Sequence, residues 1–281
     1  MKTAAVILNH NLPHYTDMLY ESLKPYERGD YDLMVFDNGS TDSGKSKYTT
    51  YGLDRNVYFG GGFNAAMQMM LEDEQYDSLL FLNNDLTIHN TKNFVNILRQ
   101  SMFKSYIVEH LADGVLIKQT SVVEKNPEPV FDIVSPTFFN DGETDRQGGC
   151  HWKTMKNHGM QWPNDVREVP FIDFQCPLIS KRLLKEVGEV DSSLVYGWGI
   201  DAYFAIVCQQ KNWKMGVTDC LSVLHHNSLT VKRGVAGITM QQYCQLAERG
   251  QLEFFTKKNL IKEFAEVRDR GSKYEYQYPS T

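Results

Sequence analysis

Three short apolar runs in the first part of the chain each end in an amide or a carboxylate. Residues 4–8 lead into Asn9, residues 33–36 into Asp37, and residues 78–82 into Asn83-Asn84-Asp85. Runs of this length with no polar face read as strands buried on both sides. Helical patterns at 15–23, 65–71 and 93–103 fall between and after them. Strands separated by helices pair in parallel through right-handed crossovers. The expected fold is therefore α/β, a mostly parallel central sheet flanked by helices. Ligands bind such sheets outside the carboxyl ends of the strands. Asn9, Asp37 and Asp85 should then meet on one edge.

Further along, a short strand is expected at 56–59, just before the glycines of GGGFN, and a weaker one at 114–117. Residues 118–170 carry Pro127, Pro129, Pro136, Pro163 and the pair Gly148-Gly149, and read as loops and short strands over one sheet edge. Regular structure returns at 169–174, followed by helices at 180–187 and 202–207. The second of these lacks a polar face, which implies burial. A strand at 214–224, a surface helix at 239–258 and a frayed tail complete the reading. The expected organisation is one domain in two halves, at 1–117 and 118–237, with a C-terminal helical tail at 238–281.

A net charge of −6 provides no global basic field for nucleic acid or anionic lipid. The clusters Lys181, Arg182, Lys185 and Lys257, Lys258, Lys262 read as solvated helix faces. Cys150, Cys176, Cys208, Cys220 and Cys244 contain no CxxC pair, which fits free thiols in a reducing compartment. The apolar run at 4–8 is too short for a signal segment. No stretch approaches the ~18 apolar residues of a membrane span. A cytoplasmic protein is expected.

Each polar motif admits two readings. Asp37 in DNGSTD can accept from a nucleotide ribose or base, or close an Asx turn. The glycines at 60–62 can bring backbone amides to a phosphate or make a tight turn. They match neither a P-loop nor GxGxxG spacing. Asp85 can hold Mg²⁺ or Mn²⁺, whose remaining positions diphosphate oxygens and water would fill, or it can cap a helix. His225 and His226 end a strand and either can be a second ligand or an ordinary histidine. In YGWGID, Trp198 can stack on a sugar, and Asp201 can take a proton from a hydroxyl or cap the following helix.

In order and spacing these stretches resemble the family-2 glycosyltransferases with the GT-A, Rossmann-like fold. The matching segments are VILNHN, VFDNGSTD, NVYFGGGFN, LLFLNNDL, CPLISKRLLKEVGEVDSSL, GWGID and LSVLHH, covering roughly residues 4–226. The resemblance implies an inverting, metal-dependent transferase, hexosyl or pentosyl. It would use a nucleoside diphosphate sugar, with a UDP-sugar the expected donor, and Mn²⁺ or Mg²⁺. Asn9 and Asp37 would hold base and ribose, and Arg55, Gly61, Asn64 and Asn84 would border the nucleotide and diphosphate. Asp85 would bind the metal with His225 beside it, His226 being the substitute. Asp201 would be the general base, with Asp191 the next choice, and Trp198 would orient a sugar. The chain departs from the family pattern at Asn83, where the first DxD carboxylate stands, at Ile200, where Glu is usual, and at Tyr58, where Gly is common. The acceptor is expected to be a glycan hydroxyl. A modified DNA base is the second choice, and a GT-A module that binds nucleotide-sugar without transfer, or a nucleotidyltransferase, is the rival.

Overall fold

The computed structural model describes residues 2–89, 92–103, 109–112, 115–118, 128–140, 146–147, 154–155, 166–226, 229–234 and 237–273. The first half runs β1 (Lys2–Asn9), α1 (Pro13–Leu23), β2 (Tyr31–Asn38), β3 (Thr49–Leu53), α2 (Tyr58–Glu72), β4 (Tyr76–Asn83), β5 (Leu86–Ile88) and α3 (Phe94–Phe103). Short strands follow as β6 (Glu109–Ala112) and β7 (Val115–Lys118), then β8 (Ile133–Asn140), β9 (Arg146–Gln147), β10 (Thr154–Met155), β11 (Val166–Glu168) and β12 (Leu178–Ser180). The chain continues through α4 (Lys181–Val187), α5 (Ile200–Lys211), β13 (Met215–His225), α6 (Leu229–Lys232), α7 (Met240–Lys257) and α8 (Ile261–Lys273).

The main sheet has the order β3-β2-β1-β4-β12-β8-β9-β10, and β13 also pairs with β8, β5 and β11. β1 runs parallel to β2 and β4, and β2 to β3. β12 is antiparallel to both β4 and β8, while β13 is parallel to β8. Side chains alternate along a strand, so β1 feeds two cores. Ala4 and Val6 face one with Phe63, Phe81 and Phe204. Ala5 and Ile7 face the other with Leu19, Leu23, Leu98 and Met102. Helices therefore cover both faces, as the apolar runs require.

Several elements differ from expectation. Residues 56–59 are not a strand. The third strand lies earlier, at β3, a polar and largely exposed edge that carries no apolar signal. The glycines at 60–62 are not a loop but the first turns of α2. Their role is close packing: a Cβ on Gly60 would come within 2.7 Å of Leu194 O. Among the described residues β7 pairs only with β6, in a separate two-stranded sheet. β8 is no edge piece but an inner strand with Ile133, Val134 and Phe138 buried. Pro136 obscured it. Proline cannot donate to a ladder, and the β8–β13 register shifts there, between the pairs Thr218↔Pro136 and Ser222↔Thr137.

Residues 169–174 are irregular, with Val169, Phe171, Ile172 and Phe174 buried. α7, expected on the surface, buries Phe254 and Phe255 in the core shared with Phe264 of α8. Among the described residues no helix is long and apolar enough to cross a membrane. Among the described residues Cys176, Cys208 and Cys244 are free thiols. Cys150 and the expected tail beyond residue 273 lie outside the described residues.

Candidate active site

The carboxyl ends of β1, β2 and β4 carry a closed polar network. Asn9 and Asp37 are paired in register. Asn9 Nδ2 donates to Asp37 Oδ1 at 2.8 Å and to Gly44 O at 2.9 Å. Asn9 Oδ1 accepts from Thr16 Oγ1 at 2.8 Å and from Asn84 Nδ2 at 3.5 Å. The other Asp37 oxygen accepts from Ser40 N at 3.0 Å, an Asx-type closure of the strand. Asn9 is fully buried and Asp37 nearly so. The two therefore brace the strand ends from inside.

Beside this network lies a cleft section of about 180 Å³ lined by Leu8, His10, Asn38, Asn56, Tyr58 and Asn84, among others. His10 Nδ1 sits 2.9 Å from Asn38 O, which can only accept. The proton is therefore on Nδ1, and Nε2 accepts from Asn56 Nδ2 at 3.1 Å. The rule that found Asn9 also reaches His10 and Asn38, each at the same strand ends, although neither was singled out. Arg55 is exposed on the turn after β3, outside the cleft lining. Gly61 faces Val57 within α2. Asn64 grips the Val190 backbone, donating to its carbonyl and accepting from its amide, both at 2.9 Å. The structure thus joins Asn9, Asp37 and Asn84 in one hydrogen-bonded network, packs the Arg55 backbone against Gly39 in the turn after Asp37, and sets Asn64 against Val190.

Asp85 and His225 meet where two cleft sections join. His225 Nε2 is 3.3 Å from Asp85 Oδ1, and both residues are over nine-tenths buried. β5 turns back against β13 to bring them together, with Leu86 in register with His225. Burial pushes the Asp85 carboxyl up, but His225 and the Leu229 amide outweigh it and hold the group below the usual carboxylate value. His226 instead turns its Nε2 to Thr87 Oγ1 at 3.0 Å, and its amide donates to Asp85 O.

A divalent cation fits this donor set. The carboxylate and imidazole are adjacent, and Asn83 Oδ1 and His225 Nδ1 nearby are buried without a partner. Among the described residues no group of three or more His, Cys, Asp or Glu side chains could hold a metal. The set suits a cation that takes one or two protein ligands and finds the rest on phosphate and water.

The second section, about 450 Å³, shares Phe59, Asn83, Tyr196, His225 and Tyr243 with the first. Its wall includes Trp198 and Asp201. Trp198 is 42% exposed and meets Tyr243 edge-on at 6.4 Å. The turn is held by Tyr243 OH donating to Tyr196 O at 2.8 Å. Gly199, with φ +91, is the N-cap of α5, so Asp201 is not the cap. Asp201 sits in the first turn, where the helix dipole favours a negative charge, and accepts from Ala202 N at 2.7 Å. Asp191 lies elsewhere, outside the cleft lining. It caps the short 3₁₀ turn Ser192–Leu194 and pairs with Lys257 at 2.9 Å. Asp173, Gln175 and Tyr243 also line this section. They come from an irregular segment and from α7, and no local pattern marks them in the sequence.

No protein-family model matches the chain, and no curated protein is detectably similar to it in sequence. Solved structures are similar in fold. GalNAc-T7 with UDP, GalNAc and Mn²⁺ matches at 13% identity and TM-score 0.54, over 96% of this chain and 54% of its own. S. aureus TarS 1–349 with UDP-GlcNAc matches at 13% identity and TM-score 0.51, over 96% and 72%. S. aureus TarS matches at 12% identity and TM-score 0.53, over 98% and 44%. The chain thus spans about half of GalNAc-T7 and less than half of the longer TarS chain. With the parallel strand order, the helices on both faces and the site at the strand ends, these matches establish that the chain has the GT-A glycosyltransferase fold.

Proposed function

We propose that the protein is an inverting, metal-dependent glycosyltransferase that moves a hexosyl or pentosyl group from a UDP-sugar to a glycan hydroxyl. One observation carries this reading. A single cleft holds the Asp85–His225 pair at the junction of its two sections and Asp201 beside exposed Trp198 in the larger one. The fold is shared with proteins solved with UDP and Mn²⁺ or with UDP-GlcNAc, which supports that choice of donor.

In this reading Asp85 and His225 would hold Mn²⁺ or Mg²⁺, which would supply positive charge against the departing nucleoside diphosphate. His10, Asn38 and Asn56 border the nucleotide, and the Asn9–Asp37 brace keeps their strands in place. Trp198 offers an aromatic face to a sugar. Asp201 takes the proton of the attacking hydroxyl as the new C–O bond forms. The anomeric C–O bond to the diphosphate breaks in the same displacement, and its electron pair leaves with the phosphate oxygen. Attack opposite the leaving group inverts the anomeric centre.

The test is incubation with a panel of nucleotide sugars, with glycan and with modified-DNA acceptors, while released nucleoside diphosphate is measured. We expect release with a UDP-sugar and a glycan, loss of release in excess chelator, and recovery with Mn²⁺ or Mg²⁺. Full activity in chelator overturns the metal assignment. Tight nucleotide-sugar binding without release from any donor makes the protein a binding module instead.

A further inference from the structure

Gln175 lies in the buried segment before β12 and lines the larger cleft section. Its carbonyl accepts from Asn83 N at 3.2 Å, so it adjoins the Asn83-Asn84-Asp85 turn directly. Its side-chain Nε2 donates to Asp173 Oδ2 at 3.0 Å. An ionised carboxylate only accepts, so the amide can meet Asp173 only through its NH₂ group, and its oxygen is turned the other way. That oxygen, Oε1, is buried and has no partner. Asn83 Oδ1, on the wall of the same cleft, is buried and without a partner too. Buried polar atoms are nearly always hydrogen-bonded. Asn83 Oδ1 belongs with the candidate cation set, whereas Gln175 Oε1, an acceptor without a partner on a residue of the cleft wall, calls for a ligand group that carries a donor. Sugar hydroxyls meet that need, whereas a phosphate, which only accepts, does not.

We infer that Gln175, oriented by Asp173, reads the transferred sugar: its Oε1 accepts a hydrogen from a hydroxyl or amide N–H of that sugar and so selects which donors are used. The inference rests on the transferase reading. The transferred sugar is favoured over the acceptor because Gln175 adjoins the turn that carries Asp85, where the diphosphate end of the donor is expected. Asp173 is the positioning residue, since it decides which end of the amide faces the ligand.

Calorimetry with UDP, UDP-glucose, UDP-N-acetylglucosamine and the deoxy analogues of the better sugar tests this on the full chain. Gln175→Met removes the acceptor at similar volume. UDP affinity should stay unchanged while affinity for the parent UDP-sugar falls roughly 5- to 100-fold, the span expected for a buried hydrogen bond lost to an apolar group. One deoxy analogue should bind wild type and Gln175→Met equally. Asp173→Asn frees the amide to turn and should blunt discrimination against that same analogue, a readout that mere loss of stability does not move. It carries the test alone if Gln175→Met does not fold. Unchanged sugar selectivity in folded variants overturns the inference, as does an effect confined to the KM of the acceptor. A wild type that binds UDP but no UDP-sugar overturns it as well. A wild type that binds no nucleotide sinks the transferase reading first, and the inference with it.

Discussion

At the end of the cleft proposed for the nucleotide Asn9, Thr16, Asp37 and Asn84 satisfy one another, whereas at the end proposed for the sugar Gln175 and Asn83 keep buried oxygens without partners. The first group sits at the ends of neighbouring parallel strands and is complete before any ligand arrives. The second joins Asn83, the last residue of β4, to Gln175 of an irregular segment, in a section walled by the start of α5 and the C-terminal helices. Fully satisfied buried networks make the local structure rigid and unique. Open polar atoms are tolerated where a ligand completes them. Substitution at the nucleotide end should therefore reach stability and binding together. Substitution at the sugar end should reach turnover or selectivity and leave the fold intact.

The largest effect that can break this contrast is at Asp201. Asp201→Asn should keep the melting temperature and donor affinity but lower turnover by roughly 10²–10⁴, the span for loss of a general base. Asn replaces Asp with little penalty in the first turn, and the N-cap is Gly199 in any case. Near-normal turnover would reduce Asp201 to a favourable charge at a helix start.

Asp37→Ala comes next, and it sharpens the comparison because two readouts should move together. It strips an acceptor from Asn9 Nδ2 and from Ser40 N inside the brace, which costs about 1–3 kcal/mol of stability. Donor affinity should fall with the melting temperature, while turnover at saturating donor changes far less. Weakened donor binding at an unchanged melting temperature would mean that Asp37 meets the nucleotide directly and is not chiefly a brace.

The smallest effect lies outside the cleft, at Asp191. The Ser193 amide, Lys257 and the Ser193 hydroxyl hold its carboxyl at about 2, below the usual 3.8. Its contribution to stability is therefore complete above the ordinary carboxylate value and is lost as pH falls from there toward about 2. Asp191→Asn should flatten only that acid limb of the stability curve, by well under the effect at Asp37, because the partner Lys257 is largely exposed. Catalytic rates near neutral pH should not respond. A large loss of turnover would return Asp191 to the list of candidate bases.

The parallel half of the fold was legible because its signals are local. Apolar runs at 4–8, 33–36 and 78–82 became β1, β2 and β4, and the polar residues after them fell on one edge. Asp85 and His225, separated widely in sequence, met as the family resemblance implied. The glycines at 60–62 misled because a glycine run signals a turn and close packing equally. Only the neighbouring Leu194 carbonyl shows that α2 needs Gly60 for contact. The resemblance puts Asn64 beside the nucleotide and diphosphate; the structure adds that its side chain holds Val190, a residue 126 positions away.

The sequence by itself determined the α/β class and the strand ends that carry the polar residues. Those properties are written in windows of a few residues, through side-chain period and turn chemistry. The tertiary structure alone decided that β8 is an inner strand despite Pro136, that α7 and α8 wall the larger cleft section, and that Asp173 turns the Gln175 amide and leaves its oxygen without a partner. Each of these depends on which distant segments meet, and pairing and orientation across the chain are settled by shared burial and hydrogen bonding that no short window contains.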